Sequence, residues 1–156
     1  IGEIVRISAV SHAGGRTRTT KVGAPSLCTS GPYSRTRNPL YLGNVIIYSG
    51  VCLLSGGPYI IEILIITLIF FIFQYTMIIS LEEETLTSLF KNDYKIYCKN
   101  VPRLLPRLSP WQKYSVKMMP LSLIKTLQTE KRTIQNITAF IVTIYFKSLL
   151  LPSILN

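Results

Sequence analysis

Apolar positions in this chain fall in long runs, and charge disappears where the runs occur. No Asp, Glu, Lys or Arg stands between Asn38 and Ile61, and none between Ile63 and Leu81. The first run predicts a helix over Pro39–Gly56, about 27 Å long, and the second a helix over Tyr59–Ser80, about 33 Å long, at 1.5 Å per residue. Both lengths match a hydrocarbon core about 30 Å thick. Ser55-Gly56-Gly57-Pro58 is an uncharged turn between them, so the pair predicts a transmembrane helical hairpin. Ile134–Leu151 is a third apolar stretch broken only by Lys147. It reads either as a span with a snorkelling lysine or as a helix lying in the interface.

The remaining segments are more polar. Ile1, Ile4, Val5, Ile7 and Val10 have roughly helical spacing and predict the end of a helix whose earlier part lies before Ile1, with Gly14-Gly15 closing it. Residues 16–30 read as loop. Glu82–Tyr97 predicts a second, polar helix with Leu86, Leu89, Phe90 and Tyr94 on one face. Pro102, Pro106 and Pro110 forbid its continuation. Trp111 and Tyr114 suit a membrane interface.

Composition sharpens this picture. The chain has 156 residues, 48% of them hydrophobic and 15% charged, with a mean hydropathy of +0.36. Disordered chains are the opposite, poor in apolar residues and rich in charge. A soluble domain of this size could barely build a core large enough to hide the runs. The expected fold is therefore all-α: one integral membrane helical bundle over residues 1–156, built on the hairpin 39–56 and 59–80, with 134–151 as a candidate third span. The net charge of +10 carries topology. Residues 1–37 hold six Lys/Arg and residues 81–133 hold ten, while the hairpin turn holds none. Positive flanks stay in the cytoplasm, which places the polar segment 81–119 there. No nucleic-acid-binding motif accompanies the charge, so no nucleic-acid partner is expected.

Some chemistries are unsupported. Cys28, Cys52 and Cys98 form no closely spaced pair, and His12 has no second His or Cys near it, so neither a disulfide framework nor a metal site is expected. Glu62 lies within reach of the interface at the far end of the second span. Asn136-Ile137-Thr138 has the form of a glycosylation acceptor but follows the basic segment, and reads as a chance match.

Two clusters carry more. Thr29–Gly43 places Tyr33, Arg35, Arg37 and Tyr41 at the mouth of the first span, and Glu82-Glu83-Glu84 follows the second. The hairpin brings these mouths together, so a basic and aromatic segment faces an acidic one. The plain alternative is interfacial anchoring by Arg37 and Tyr41, with the glutamates capping a helix N-terminus.

The clusters resemble the isoprenylcysteine carboxyl methyltransferase and phospholipid methyltransferase family of membrane proteins. The matching residues are Arg37-Asn38-Pro39-Leu40-Tyr41-Leu42-Gly43, then Glu82-Glu83, then Phe90-Lys91-Asn92-Asp93-Tyr94-Lys95-Ile96-Tyr97, then Val101-Pro102 with Pro106. Two positions depart from the family pattern: Asn38 replaces a His and Lys91 replaces a Gly. The second departure suggests a changed helix ending.

The resemblance implies a cofactor pocket facing the cytoplasm. It implies S-adenosylmethionine as cofactor and a lipid or prenylated acceptor in the membrane. Carboxyl methylation of an isoprenylcysteine-like acceptor is the first expectation. Phospholipid amine methylation, a non-catalytic anchoring role and a nicotinamide-dependent reductase are the alternatives. By the same resemblance Arg37 and Glu82 are the expected catalytic residues. Leu27, Cys28, Tyr33, Asn38, Pro39, Tyr41, Glu82 and Glu83 are the expected cofactor contacts.

Overall fold

The computed structural model describes residues 1–14, 26–112 and 120–154. Helix α1 spans Gly2–His12, a single 3-10 turn spans Gly31–Ser34, and α2, α3 and α4 span Pro39–Ser55, Ile60–Asn100 and Leu123–Ile154. Among the described residues there is no strand. Tyr114 lies outside them.

Helix α2 opens with Pro39 at its first position, where a missing N–H costs nothing. It stops at Gly56, whose φ of 63° is open to glycine and strained for other residues. Helix α3 then runs for 41 residues. Sequence reasoning predicts two helices here, but no Gly or Pro lies between Tyr59 and Val101 to separate them. Glu82–Glu84 therefore sit inside a helix and do not cap an N-terminus. The break falls later, as a kink at Lys91 with φ 44° and ψ −113°.

Aromatic contacts join α2 to α3 in antiparallel register. Tyr41 lies 4.7 Å from Tyr75 and Tyr48 lies 5.1 Å from Phe71, centroid to centroid. Nearer the turn, Cys52 Sγ meets Thr67 Oγ1 at 3.5 Å. Helix α4 runs parallel to α2. Phe140 packs edge-on against Tyr48 at 6.3 Å, and Lys147 Nζ donates to the Ser55 carbonyl at 3.1 Å. Helix α4 thus reaches from the basic end of the bundle to the hairpin turn. Helix α1 lies antiparallel to α2 at very short range: a Cβ on Gly2 would come within 2.7 Å of the Gly43 carbonyl.

Ile60–Asn100 and Leu123–Leu150 are long and apolar enough to cross a membrane, and α2 is a shorter apolar helix. Their large side chains point outward. Ile66, Ile69, Phe70 and Phe73 of α3, and Tyr145, Phe146 and Leu150 of α4, are exposed. A soluble core helix would bury such residues, whereas a lipid-facing helix presents them. The buried core sits instead at the basic end, where Tyr94, Tyr97 and Val101 pack with Leu27, Leu86, Phe90, Cys98 and Trp111. Leu89 is exposed, off the face formed by Leu86, Phe90 and Tyr94. Trp111 packs on the Tyr97 ring at 5.8 Å.

Candidate functional site

The site forms where the chain entering α2 is laced to the chain leaving α3. The Arg37 N–H donates to the Pro102 carbonyl at 2.9 Å, and the Thr36 hydroxyl donates to the Leu104 carbonyl at 3.0 Å. The Asn38 side-chain amide donates to the Arg103 carbonyl at 2.8 Å. Further along, the Arg107 N–H meets the Arg35 carbonyl at 3.0 Å and the Trp111 N–H meets the Ser34 carbonyl at 2.9 Å. The Arg35 guanidinium donates to the Leu108 carbonyl. Residues ahead of Pro102, Pro106 and Pro110 are biased away from helix, which leaves backbone groups available for this lacing. The Tyr97 hydroxyl adds a bond to the Tyr33 carbonyl at 2.7 Å.

The two adjacent glutamates of α3 have different partners. Glu83 receives Arg37 at 2.9 Å, and Arg103 through two nitrogens at 3.0 and 3.2 Å. Paired arginine–carboxylate contacts of this kind fix geometry as well as charge. Arg37 also lies 2.7 Å from Cys98 Sγ, while its Nε is buried without a hydrogen-bond partner. Glu82 Oε1 accepts from the Tyr41 hydroxyl at 2.7 Å. Its second oxygen has no hydrogen bond or ion pair among the described residues. Glu82 lies just past the uncharged run that ends at Leu81. Burial pushes its carboxyl above the ordinary carboxylate range; the Tyr41 hydrogen bond opposes this and the Glu83 charge adds to it. Burial likewise pushes the Cys28 thiol and the Tyr33 and Tyr97 phenols up, so these groups stay protonated at neutral pH.

The residues named from sequence are thus partly assembled. Arg37, Tyr41, Glu82 and Glu83 form one cluster, with Asn38 tied to the loop that carries Arg103. Leu27 belongs to the buried core, and the Cys28 thiol donates to the His12 carbonyl at 3.4 Å. A cavity of about 740 Å³ opens between α1 and the laced loops, with Val5, Ser8, Ser30, Thr36, Pro39 and Trp111 among its walls. Of the cofactor contacts expected from sequence, Pro39 is the one on its wall.

Sequence reasoning missed Arg103, the second cation on Glu83. It also missed a buried polar group one layer further in. Arg6 of α1 makes a bidentate pair with Glu130 of α4, at 2.9 Å from Nε and 2.7 Å from an Nη. Its other Nη donates to Asn44 Oδ1 at 2.6 Å. Asn44 Nδ2 in turn reaches the Tyr75 hydroxyl at 3.0 Å. The only sequence signals were an amide inside an apolar helix and an acid shortly before an apolar stretch.

Fold and site together define a helical membrane bundle with an arginine–glutamate and tyrosine–glutamate cluster at its basic end. A match to the phospholipid methyltransferase family covers residues 5–93, more than half of the chain, and the chain belongs to that family of membrane methyltransferases. The matched residues include Arg37–Tyr41 and Glu82–Glu83 but not α4. Comparison with curated proteins and with solved structures gave no match.

Proposed function

We propose that the basic end of the bundle binds S-adenosylmethionine and passes its methyl group to an amine nitrogen of a membrane phospholipid. The observation that carries this reading is the unequal state of the two glutamates. Glu83 is saturated by Arg37 and Arg103, whereas Glu82 keeps an open oxygen beside Tyr41. The cofactor's amino-acid end is zwitterionic, and the residues present fit both of its charges. Glu82 offers a carboxylate to the amino group, and the buried, unpartnered Nε of Arg37 offers a donor to the carboxylate.

When bound, the cofactor supplies a methyl group made electrophilic by its sulfonium. The protein's task is alignment, since an in-line displacement at carbon gains most from held geometry. Glu83 and Arg103 hold Arg37 in place, and Asn38 ties the loop that carries Arg103. Tyr33, Pro39, Leu27 and Cys28 stand as candidate pocket residues around this core. The match to the phospholipid methyltransferase family favours an amine nitrogen of a phospholipid over the prenylated carboxyl acceptor. The exposed apolar faces of α3 and α4 suit lipid, the site stands at the basic end beyond the uncharged run, and the positive flanks support a cytoplasmic mouth.

Isothermal calorimetry of the detergent-solubilised protein tests the first step. The expectation is micromolar S-adenosylmethionine binding that Glu82→Ala loses. No binding in a folded sample overturns the reading. Labelled-methyl transfer in lipid nanodiscs then separates acceptors: incorporation into phosphatidylethanolamine supports amine methylation, and incorporation into a prenylated cysteine replaces it with carboxyl methylation.

A further inference from the structure

The buried group around Arg6 does more than join α1 to α4. We infer that Arg6, Asn44, Tyr75 and Glu130 form a positioning relay that sets Tyr41 against Glu82. The inference rests on the proposed role of Glu82. The chain of contacts is continuous. Glu130, with no exposed surface, holds one edge of the Arg6 guanidinium through Nε and an Nη. That leaves one Arg6 nitrogen to hold the Asn44 carbonyl oxygen at 2.6 Å. The Asn44 amide nitrogen meets the Tyr75 hydroxyl at 3.0 Å. The Tyr75 ring lies 4.7 Å from that of Tyr41, whose hydroxyl donates to Glu82 at 2.7 Å.

Two features argue that this is a positioning device. Asn44 is the only amide side chain within α2, and its two ends are spent on α1 and α3, one on each side. An amide and a phenol in an apolar helix pair are costly unless each meets a partner, so such groups mark function more often than adhesion. The relay also explains how α4, which lies outside the family match, enters the site: Glu130 orients Arg6, and Arg6 orients Asn44.

The test uses the full chain in detergent and a readout that does not require turnover. Dicyclohexylcarbodiimide modifies carboxyl groups in apolar surroundings, and mass spectrometry reports its rate at Glu82. Tyr41→Phe serves as the reference for a Glu82 that has lost its phenol. Tyr75→Phe keeps the ring and removes only the hydroxyl, so it is the mildest change that opens this link.

Tyr75→Phe and Asn44→Ala are each expected to change Glu82 modification several-fold, in the direction set by Tyr41→Phe. The double variant should do no more than the stronger single one, because both break the same path. Asn44→Asp, which can accept from Arg6 and from the Tyr75 hydroxyl, should return the rate towards wild type. In turnover, Tyr75→Phe should raise KM for S-adenosylmethionine several-fold with kcat held, as expected for lost cofactor positioning. Unchanged Glu82 modification in both single variants overturns the relay, whatever happens to their stability. If the wild type binds no S-adenosylmethionine, the methyltransferase reading falls, and the modification rates still decide the relay.

Discussion

The two ends of this bundle are held together by different physics. At the hairpin turn, Leu53, Leu54, Tyr59 and Ile61 are exposed, and the contacts are aromatic packing, a thiol against a hydroxyl and a lysine on a carbonyl. Lipid serves as the missing partner there, so packing need only be approximate. At the basic end Arg6, Thr36, Glu130 and Tyr97 are buried, and the side-chain bonds Arg6–Glu130, Thr36–Leu104 and Tyr97–Tyr33 join distant parts of the chain. In a low-dielectric setting an unmet charge is expensive, so polar partners there must be matched closely. Precision is concentrated where chemistry is proposed and relaxed where lipid backs the packing.

The largest effect should come from splitting the buried pair. Arg6→Ala leaves Glu130 charged and without its main partner, and breaking such a pair costs about 3–5 kcal/mol. The double variant Arg6→Met/Glu130→Leu removes both charges and should recover most of that loss. Thermal unfolding in detergent checks both. A cost below about 1 kcal/mol for Arg6→Ala would mean that the basic end is no more demanding than the turn.

Next comes the contrast between neighbouring glutamates. Glu82→Gln should weaken S-adenosylmethionine binding at least about tenfold, the scale of a charge-assisted hydrogen bond of about 1.5–3 kcal/mol. It should also stabilise the fold, and the sign follows from linkage. The folded-state pKa of Glu82 is raised, so from the ordinary value of about 4.3 upwards the folded protein holds a proton that the unfolded chain has released. Stability therefore falls as pH rises from that value through the raised pKa, and the loss is complete above it. Glutamine carries no such cost. The stability gap in favour of Glu82→Gln should be small in acid and widen towards neutral pH, as unfolding midpoints measured across pH would show. A gap that narrows with rising pH would contradict the burial assigned to Glu82.

Lys91 tests strain at the basic end. Its φ of 44° with a negative ψ lies in a region glycine enters freely and lysine does not, and the side chain is exposed. The resemblance to the methyltransferase pattern placed a glycine at this position. The kink gives the reason: the backbone turns there. Lys91→Gly should stabilise by about 1 kcal/mol, because it relieves strain without losing a buried contact. A destabilised variant would mean that α3 can straighten.

The apolar half of this architecture was legible in the sequence because hydropathy is a local property. Pro39, the Gly56-Gly57 turn and the uncharged runs each announce themselves within a few residues. That the Arg37–Tyr41 segment faces Glu82-Glu83 was legible through motif order, since a hairpin forces the two mouths together; which side chains pair was not. Arg103 and the Arg6–Glu130 pair were not legible. Their partners lie 20 and 124 residues away, and nothing in the spacing says which charges will meet. The boundary within α3 was also misplaced: the change from apolar to acidic at Leu81 looks like an ending, but the helix continues to the kink at Lys91.

The smallest effect should fall at the other end. Lys147 is the one charge in the third apolar stretch, and its ammonium reaches the Ser55 carbonyl at 3.1 Å at the C-terminus of α2. The contact is exposed, so water or headgroups compete for both partners, and a net hydrogen bond there is worth at most about 0.5–1 kcal/mol. Lys147→Leu also removes a charge that must snorkel out of an apolar helix, which offsets part of the loss. The expected shift is within about 0.5 kcal/mol, with cofactor binding unchanged, by thermal unfolding and calorimetry on the same sample. A cost comparable to that of Arg6→Ala would show that the turn end is also held by a buried polar contact. The division of labour between lipid-backed packing and matched polar pairs would then have to be redrawn.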